Sequence, residues 1–266
     1  MQTCTRSTSK PRASVHRPVV IFDGDDTLWK TQCLYDRAKA GMARLLAKTA
    51  PERDALIKEF DRFDAQRAEQ IGLAPKRFME SIAMFYAQRR ALASERSSSR
   101  SQKLHALTSE VLQPPKLFRG TVSSLKALAP TCRLYLMTAG DKRVQRRKVR
   151  QTGLSIFFQK VWVVPEKNAT VLRGLLEAEQ LRPEECWMVG NSLRSDIMPA
   201  LANGLRVLHL NRGGWQYDTL DIGVMSPPLY RKVRNLGAVA RIILRQGPSP
   251  ALVLQNQTAS YENVGH

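Results

Sequence analysis

An acid-rich turn directly follows an apolar segment near the start of the chain. Residues 19–22 (VVIF) are followed at once by residues 23–27 (DGDDT). A turn alone accounts for Gly and Asp, but three carboxylates within four residues are costly to pack unless a cation is present. Oxygen ligands without a neighbouring His or Cys favour Mg²⁺. Because the apolar segment is typical of a buried parallel strand, we predict a carboxylate site at its carboxyl end.

Polar residues of complementary kinds also follow the later apolar segments. Thr138 ends LYLMT, Lys167 follows VWVV, and Asn191 follows CWMVG with Asp196 five residues further on. In an open α/β sheet, ligands bind at the carboxyl ends of the strands, so we expect these side chains to lie together. Each has an ordinary structural interpretation as well. Thr138 would then be a helix N-cap, Lys167 a surface lysine, and Asp196 an acid in a first helical turn.

Taken together, these segments resemble the motifs of the haloacid-dehalogenase-like (HAD) superfamily. Those motifs are a strand followed by DxDxT, a strand ending in Ser or Thr, a Lys after the next strand, and a strand followed by Gly-Asp and a further Asp. The matching residues are, in that order, Asp23, Asp25 and Thr27; Thr138; Lys167; and Asn191 and Asp196. The resemblance implies an α/β fold with a Rossmann-like parallel sheet and helices on both faces.

The resemblance also implies a catalytic role for several residues. Asp23 would attack phosphorus and form an aspartyl-phosphate. Asp25 would protonate the leaving oxygen and then help to deprotonate the water that hydrolyses the intermediate. Thr138 and Lys167 would hold phosphoryl oxygens, and Thr27 is assigned to phosphate binding with them. Asp26 is interpreted as a solvated turn residue.

The same resemblance implies a Mg²⁺ site, with one departure from the family pattern. The ligands would be Asp23, the backbone carbonyl of Asp25, and Asp196. The family usually has an acid where this chain has Asn191. Asn191 is assigned to the metal site together with these ligands. Its amide can still accept a hydrogen bond from a metal-bound water, but it removes a negative charge, so we expect weaker Mg²⁺ binding.

The acid at position 25 narrows the chemistry. Haloacid dehalogenases lack an acid there, since a halide leaving group needs no proton. We therefore predict a Mg²⁺-dependent phosphatase that hydrolyses a small phosphorylated metabolite. Two alternatives remain open: a phosphomutase or phosphotransferase of the same fold, and a non-catalytic basic protein that binds nucleic acid.

Helical periodicity predicts an insertion in this α/β core. Four amphipathic segments without a strand resemble the family's helical cap, and basic residues within it are candidates to contact a second anionic group or to lie on solvated faces: Arg62, Arg67, Lys76 and Arg77. The predicted organisation is a disordered basic tail at 1–17, a core at 18–31 and 114–215, a cap at 32–113, and a C-terminal extension at 216–266 that is partly helical or disordered. Residues 230–245 are predicted to form a peripheral basic helix.

Composition bounds the partners. The chain has 42 Lys and Arg against 23 Asp and Glu, a net charge of +19, which attracts phosphorylated molecules. The densest basic block, at 141–150, is predicted to be a solvated helix face. Without a DNA- or RNA-reading motif, the sequence favours a small substrate, although the charge leaves nucleic acid open as a partner.

No apolar run reaches the roughly 18–20 residues of a membrane span, and the N-terminus lacks a secretory signal. Four scattered cysteines predict reduced thiols in the cytoplasm; the oligomeric state is not predicted.

Overall fold

The computed structural model describes most of the chain between residues 17 and 246. The described residues are 17–72, 74–92, 98–212 and 228–246. The predicted tail lies almost entirely outside them, as does much of the C-terminal extension. Within these residues, no helix is both long enough and apolar enough to cross a bilayer.

A six-stranded parallel sheet forms the centre of the molecule. The described residues contain eight strands, six of which form this sheet: β1 (Val19–Phe22), β2 (Trp29–Lys30), β3 (Lys116–Leu117), β4 (Arg133–Ala139), β5 (Lys160–Val164), β6 (Cys186–Gly190), β7 (Arg206–Leu210) and β8 (Tyr230–Val233). The order in the sheet is β5-β4-β1-β6-β7-β8, while β2 and β3 form a separate antiparallel pair. All four residues of β1 are fully buried, as expected of a central strand covered on both faces.

Helices cover both faces of the sheet, which confirms the predicted fold class. They are α1 (Gln32–Leu46), α2 (Ala50–Ile71), α3 (Pro75–Leu92), α4 (Ser98–Ser109), α5 (Thr121–Leu128), α6 (Lys142–Gln151), α7 (Ala169–Ala178), α8 (Met198–Ala202) and α9 (Leu236–Gln246). Leu125, Val149 and Val239 pack α5, α6 and α9 on one face. Leu172 and Ala200 pack α7 and α8 on the other.

Helices α1–α4 follow one another between β2 and β3 and have an apolar core of their own. Phe60 lies at its centre, with ring centroids 5.8 Å from Phe78 and 5.5 Å from Phe85, both edge to face. A capping box between Thr49 and Glu52 starts α2, which satisfies backbone donors at that end. The chain therefore contains the predicted run of helices; that they act as a cap stays a prediction.

The segment 230–245 is not the single peripheral helix that the sequence predicts. Residues 230–233 form the edge strand β8, which pairs in parallel with β7, and α9 begins only at Leu236. The exposed Arg231 and Lys232 gave this stretch a helix-like basic pattern. Such charged side chains also suit an edge strand, and Val233 adds to the apolar core.

Candidate active site

A cavity of about 190 Å³ lies at the carboxyl ends of the central strands. We call its lining residues from 23–26 and 138–196 the floor, and those from 31–78, on α1, α2 and the start of α3, the roof. The structure brings six of the seven predicted site residues into the floor: Asp23, Asp25, Thr138, Lys167, Asn191 and Asp196. The seventh, Thr27, does not line the cavity.

Lys167 lies between two buried carboxylates. Its Nζ donates to Asp23 Oδ1 at 2.6 Å and also to Asp196 Oδ1. Asp196 Oδ2 accepts from the backbone nitrogens of Asn191 and Ser192 at 3.1 and 3.0 Å. Burial, and then repulsion from Asp196, raise the pKa of Asp23 to about 8 although Lys167 opposes them. The interpretation of Lys167 as a surface lysine is therefore wrong, and these three groups form one charge cluster.

Thr138 presents a buried hydroxyl that lacks a partner. It lies within β4 with 1% of its surface exposed, and its Oγ1 makes no hydrogen bond with the described residues. The N-cap of α6 is instead Asp141, whose Oδ1 accepts from the backbone nitrogens of Arg143 and Val144, each at 2.9 Å. Because buried polar atoms are normally paired, this hydroxyl is suited to a ligand in the cavity.

Asp25 is held by five hydrogen bonds. Its Oδ1 accepts from Trp29 Nε1 at 2.7 Å, from Thr31 Oγ1 at 2.5 Å and from Lys148 Nζ at 2.8 Å. Its Oδ2 accepts from Gln145 Nε2 at 2.8 Å and again from Lys148 at 3.0 Å. Burial by itself would raise the pKa of Asp25, but the charge and hydrogen bonds of Lys148 outweigh it and lower the pKa to about 2. The resting group is therefore an ionised, fully paired carboxylate.

Lys148 and Gln145 are site residues that the sequence analysis missed. The basic block at 141–150 was predicted to be a solvated helix face, yet α6 buries Gln145, Lys148 and Val149. A usable signal was present, since positions 145, 148 and 149 follow the helical spacing that places residues on one face. The remaining basic residues of the block do lie on the exposed side, so the prediction was wrong for one face only.

Thr27 and His209 support the loop that carries Asn191. Thr27 is fully buried, and its Oγ1 lies 3.0 Å from the side-chain amide of Asn191. His209 Nε2 lies 3.1 Å from the backbone oxygen of Asn191. The hydrogen bonds around this amide are best satisfied when its nitrogen donates to Asp23 Oδ2 at 3.3 Å and to the Asp25 carbonyl at 3.0 Å. The predicted contact of Thr27 with phosphate thus stays a prediction. The position of Thr27 is suited instead to holding the side chain of Asn191 in place.

These neighbours of Asn191 include the candidate ligands for a cation. Within the described ranges, no three His, Cys, Asp or Glu side chains cluster as a metal site. The candidate set is instead mixed: the carboxylates of Asp23 and Asp196, the carbonyl of Asp25 and the amide of Asn191. The two carboxylates and the Asp25 carbonyl present oxygen, which is the donor that Mg²⁺ prefers. Asn191 faces Asp23 and the Asp25 carbonyl with its amide nitrogen and would have to turn its amide to present oxygen. Burial, and then repulsion from Asp196, raise the pKa of Asp23, and a bound cation would oppose both effects and favour the ionised carboxylate, so the residues present fit such an ion.

Asp26 helps to place α1 on the roof side. It has a φ of 57°, an uncommon left-handed backbone for a residue with a side chain. Its Oδ1 accepts from the backbone nitrogens of Thr31 and Gln32 at 2.9 and 3.0 Å. Burial raises its pKa to about 6. Asp26 is therefore half-buried and hydrogen-bonded rather than the solvated turn residue that we predicted.

Several solved structures resemble this fold. A haloacid dehalogenase-like family hydrolase from Xanthomonas campestris superposes with a TM-score of 0.69 at 24% identity, over 87% of this chain and 99% of the other. The HAD-hydrolase YfnB from Bacillus subtilis, solved with magnesium, has a TM-score of 0.58 at 19% identity over 86% and 99%. L-2-haloacid dehalogenase from Xanthobacter autotrophicus has a TM-score of 0.58 at 16% identity over the same shares. At these identities the likeness concerns the fold alone.

Sequence relatives are distant and partial. The N-acylneuraminate-9-phosphatases of Rattus norvegicus and Homo sapiens are each 28% identical over 109 residues, which is 39% of this chain and 44% of each relative. The match thus spans less than half the length of these relatives. Residues 18–204, by contrast, match the model of the haloacid dehalogenase-like hydrolase family. Since that match covers most of the chain and the fold agrees with it, the protein belongs to the haloacid dehalogenase-like hydrolases.

Proposed function

We propose that this protein is a Mg²⁺-dependent phosphatase that hydrolyses a small phosphorylated metabolite through an aspartyl-phosphate on Asp23. The observation that carries the proposal is the unpaired, buried hydroxyl of Thr138 in the same cavity as Asp23 and Lys167. A hydroxyl, an ammonium group and a carboxylate nucleophile together suit a phosphoryl group. The distant phosphatase relatives support the same reaction class.

In the first step, Asp23 attacks phosphorus and the bond to the leaving oxygen breaks. Lys167 and Thr138 hold phosphoryl oxygens and stabilise their charge in the transition state. Mg²⁺, when bound by the candidate ligands around Asp23, would reduce the repulsion between carboxylate and phosphate. Asn191 in place of an acid lowers the negative charge there, and we expect correspondingly weak metal binding.

Asp25 serves as acid and then as base. With a pKa of about 2 it is ionised at neutral pH, which suits removal of a proton from the attacking water in the second step. To protonate a leaving oxygen it must first gain a proton, which solvent water or the monoanionic form of the substrate would supply. A phosphate monoester in the cavity competes with Asp25 for the ammonium group of Lys148, and weaker pairing raises the pKa of Asp25. An acid at this position supports phosphate ester chemistry over dehalogenation.

Helices α1–α4 serve as the cap of this site. Their roof residues lie over the same cavity as the catalytic floor, so the leaving group would lie against them and water would be excluded during the reaction.

We place the protein in the cytoplasm, since the described cysteines, Cys33, Cys132 and Cys186, are all free thiols and reduced thiols suit that compartment.

The test is hydrolysis of 4-nitrophenyl phosphate with and without Mg²⁺. Asp23→Asn should lower Mg²⁺-dependent release by about 10³-fold or more, because an amide cannot act as the nucleophile. Asp54→Asn, an exposed position on α2, is the matched control and should retain activity. Metal-independent release, or undiminished release by Asp23→Asn, would overturn the proposal. In a separate incubation with a sugar phosphate, formation of an isomeric sugar phosphate instead of free phosphate would favour the phosphomutase alternative.

A further inference from the structure

The roof and the floor of the cavity differ in charge balance. Five carboxylates line the floor against two lysines: Asp23, Asp25, Asp26, Asp141 and Asp196 against Lys148 and Lys167. Two carboxylates line the roof against two cationic side chains: Asp61 and Asp64 against Lys39 and Arg77. The excess of negative charge is thus confined to the floor, where a cation and a phosphoryl group are proposed to bind. The roof is balanced.

Both cations of the roof are already paired. Lys39 Nζ lies 2.9 Å from Asp61 Oδ1 and 3.2 Å from Asp36 Oδ1. Arg77 Nη1 donates to the carboxylate of Asp64 and, at 3.1 Å, to its backbone oxygen. A carboxylate or second phosphate on the substrate would have to break one of these pairs and would lie near another carboxylate. A second anionic group is therefore disfavoured.

The other basic candidates of the insertion do not supply a positive charge to the cavity. Arg62 and Lys76 are exposed and do not line it. Arg67 donates to Ser81 Oγ at 3.0 Å and lies outside the lining. The described residues of the roof also lack a free carboxylate for a positively charged leaving group, because Asp61 and Asp64 each contact a cationic side chain.

What the roof does offer is hydrogen-bonding groups whose charges are already paired, beside aromatic rings. The Nε–H of Arg77 is buried and has no acceptor among the described residues, which is uncommon for a native buried donor. Asp61 and Asp64 retain lone pairs that can accept. Tyr35 and Phe78 pack edge to face, with ring centroids 4.6 Å apart, and also line the roof. Hydroxyl groups both donate and accept, so they match this surface.

We infer that the substrate is the phosphate monoester of an uncharged, polyhydroxylated alcohol, whose hydroxyl groups contact Arg77 Nε–H and the roof carboxylates. The inference rests on the proposed function, since it names the leaving group of that reaction. It goes further by separating neutral polyol phosphates from phosphorylated acids and phosphorylated amines.

Matched substrate pairs test the inference. Glycerol 3-phosphate and 3-phosphoglycerate differ at one carbon, CH₂OH against carboxylate, and glucitol 6-phosphate and 6-phosphogluconate differ in the same way. We expect kcat/KM to be about tenfold higher for the neutral member of each pair, because a second anion must displace a carboxylate from Lys39 or Arg77 in the roof. For a third pair, 2-hydroxyethyl phosphate should be hydrolysed faster than 2-aminoethyl phosphate.

One roof variant sharpens the test. Asp61→Asn leaves Lys39 with only Asp36 as a partner, so the preference for the neutral member should fall about fivefold. Asp54→Asn on the same helix lies outside the cavity and should leave the preference unchanged. If 4-nitrophenyl phosphate is not hydrolysed, the proposed function fails. If it is hydrolysed but the carboxylated or amino member is equal or better, the inference is overturned while the phosphatase proposal stands. An unchanged ratio in Asp61→Asn would also overturn it.

Discussion

The floor and the roof line one cavity, and both contain buried ion pairs, yet they are built differently. In the floor, carboxylates outnumber cations, the pKa of Asp23 is raised to about 8 and that of Asp25 is lowered to about 2. In the roof, Arg77 and Lys39 are each matched by a carboxylate. Strongly shifted pKa values and unbalanced charge are typical of catalytic groups. Balanced pairs fit packing and recognition, so the floor is the part proposed to carry the reaction and the roof the part proposed to select the substrate.

The contrast also separates the cavity from the rest of the molecule. The chain carries a net charge of +19, but the charged residues that line the cavity are mostly acidic. A basic surface can raise the local concentration of phosphorylated molecules. The net charge of the chain does not determine which charged side chains contact the substrate in the cavity.

After the loss of the nucleophile in Asp23→Asn, the largest expected effect is that of Asp25→Asn in the floor. An amide cannot protonate a leaving oxygen, so kcat for glycerol 3-phosphate should fall about 10³-fold. The loss with 4-nitrophenyl phosphate should be smaller, because its leaving group needs less protonation. Steady-state kinetics on both substrates measures the difference. Equal losses on the two would argue against Asp25 as the acid.

In the roof, the expected effect of Arg77→Met is on stability. It leaves Asp64 buried without its cation, which should lower the free energy of unfolding by about 3 kcal/mol in urea titrations. The double variant Arg77→Met/Asp64→Leu should recover most of this loss. Arg89, paired with Glu59 at a partly exposed position between the same two helices, is the control. Arg89→Met should cost less than about 1 kcal/mol, and a similar cost for the two variants would contradict the contrast.

Lys148→Met should change the pH dependence of the floor. Without the ammonium group, the hydrogen bonds from Thr31 and Gln145 still oppose burial, but the largest opposing effect is lost, so the pKa of Asp25 should rise above about 2. Below that pKa Asp25 is protonated and cannot deprotonate water. The acidic limb of kcat for 4-nitrophenyl phosphate should therefore move up by about one pH unit or more. Arg147→Met, an exposed neighbour on α6, should leave the limb in place. A limb that did not move would show that Lys148 does not govern Asp25.

Asn191→Asp should strengthen cation binding in the floor. It adds a negative charge beside the candidate ligands, so the Mg²⁺ dissociation constant should fall about tenfold, as measured by isothermal titration calorimetry. Asn235→Asp is a suitable control, since Asn235 caps α9 through its Oδ1 and Asp serves equally well as an N-cap. An unchanged Mg²⁺ affinity in Asn191→Asp would refute this role.

The smallest expected effect is a rise in thermal stability in Asp23→Asn. The folded pKa of Asp23, about 8, lies above the unfolded value of 3.8. The folded state therefore holds its proton more tightly, and the wild type loses stability as pH rises from about 4 to 8. In a chelator, the variant's Tm should exceed that of the wild type by about 2–4 °C at pH 8. The gap should narrow toward pH 4; a gap that is constant with pH would contradict the shifted pKa.

The fold and much of the floor could be predicted because the motifs are local. An apolar segment that ends in polar residues is readable within about ten positions, and parallel strands bring those ends to one edge. The roof could not be predicted in the same way. Arg62, Arg67, Lys76 and Arg77 look alike in the sequence, and only packing between α2 and α3 places Arg77 against Asp64 in the cavity.

By itself, the sequence determined the parallel sheet, the family, and the placement of Asp23, Thr138, Lys167 and Asp196 at strand ends. Tertiary structure alone decided how these groups are paired. Lys148 meets Asp25 across 123 positions, and Thr27 meets Asn191 across 164. The physical reason is that a pKa, or an unpaired hydroxyl, depends on burial and on partners brought together only by folding. The local sequence specifies which groups are offered at the strand ends, but not what surrounds them.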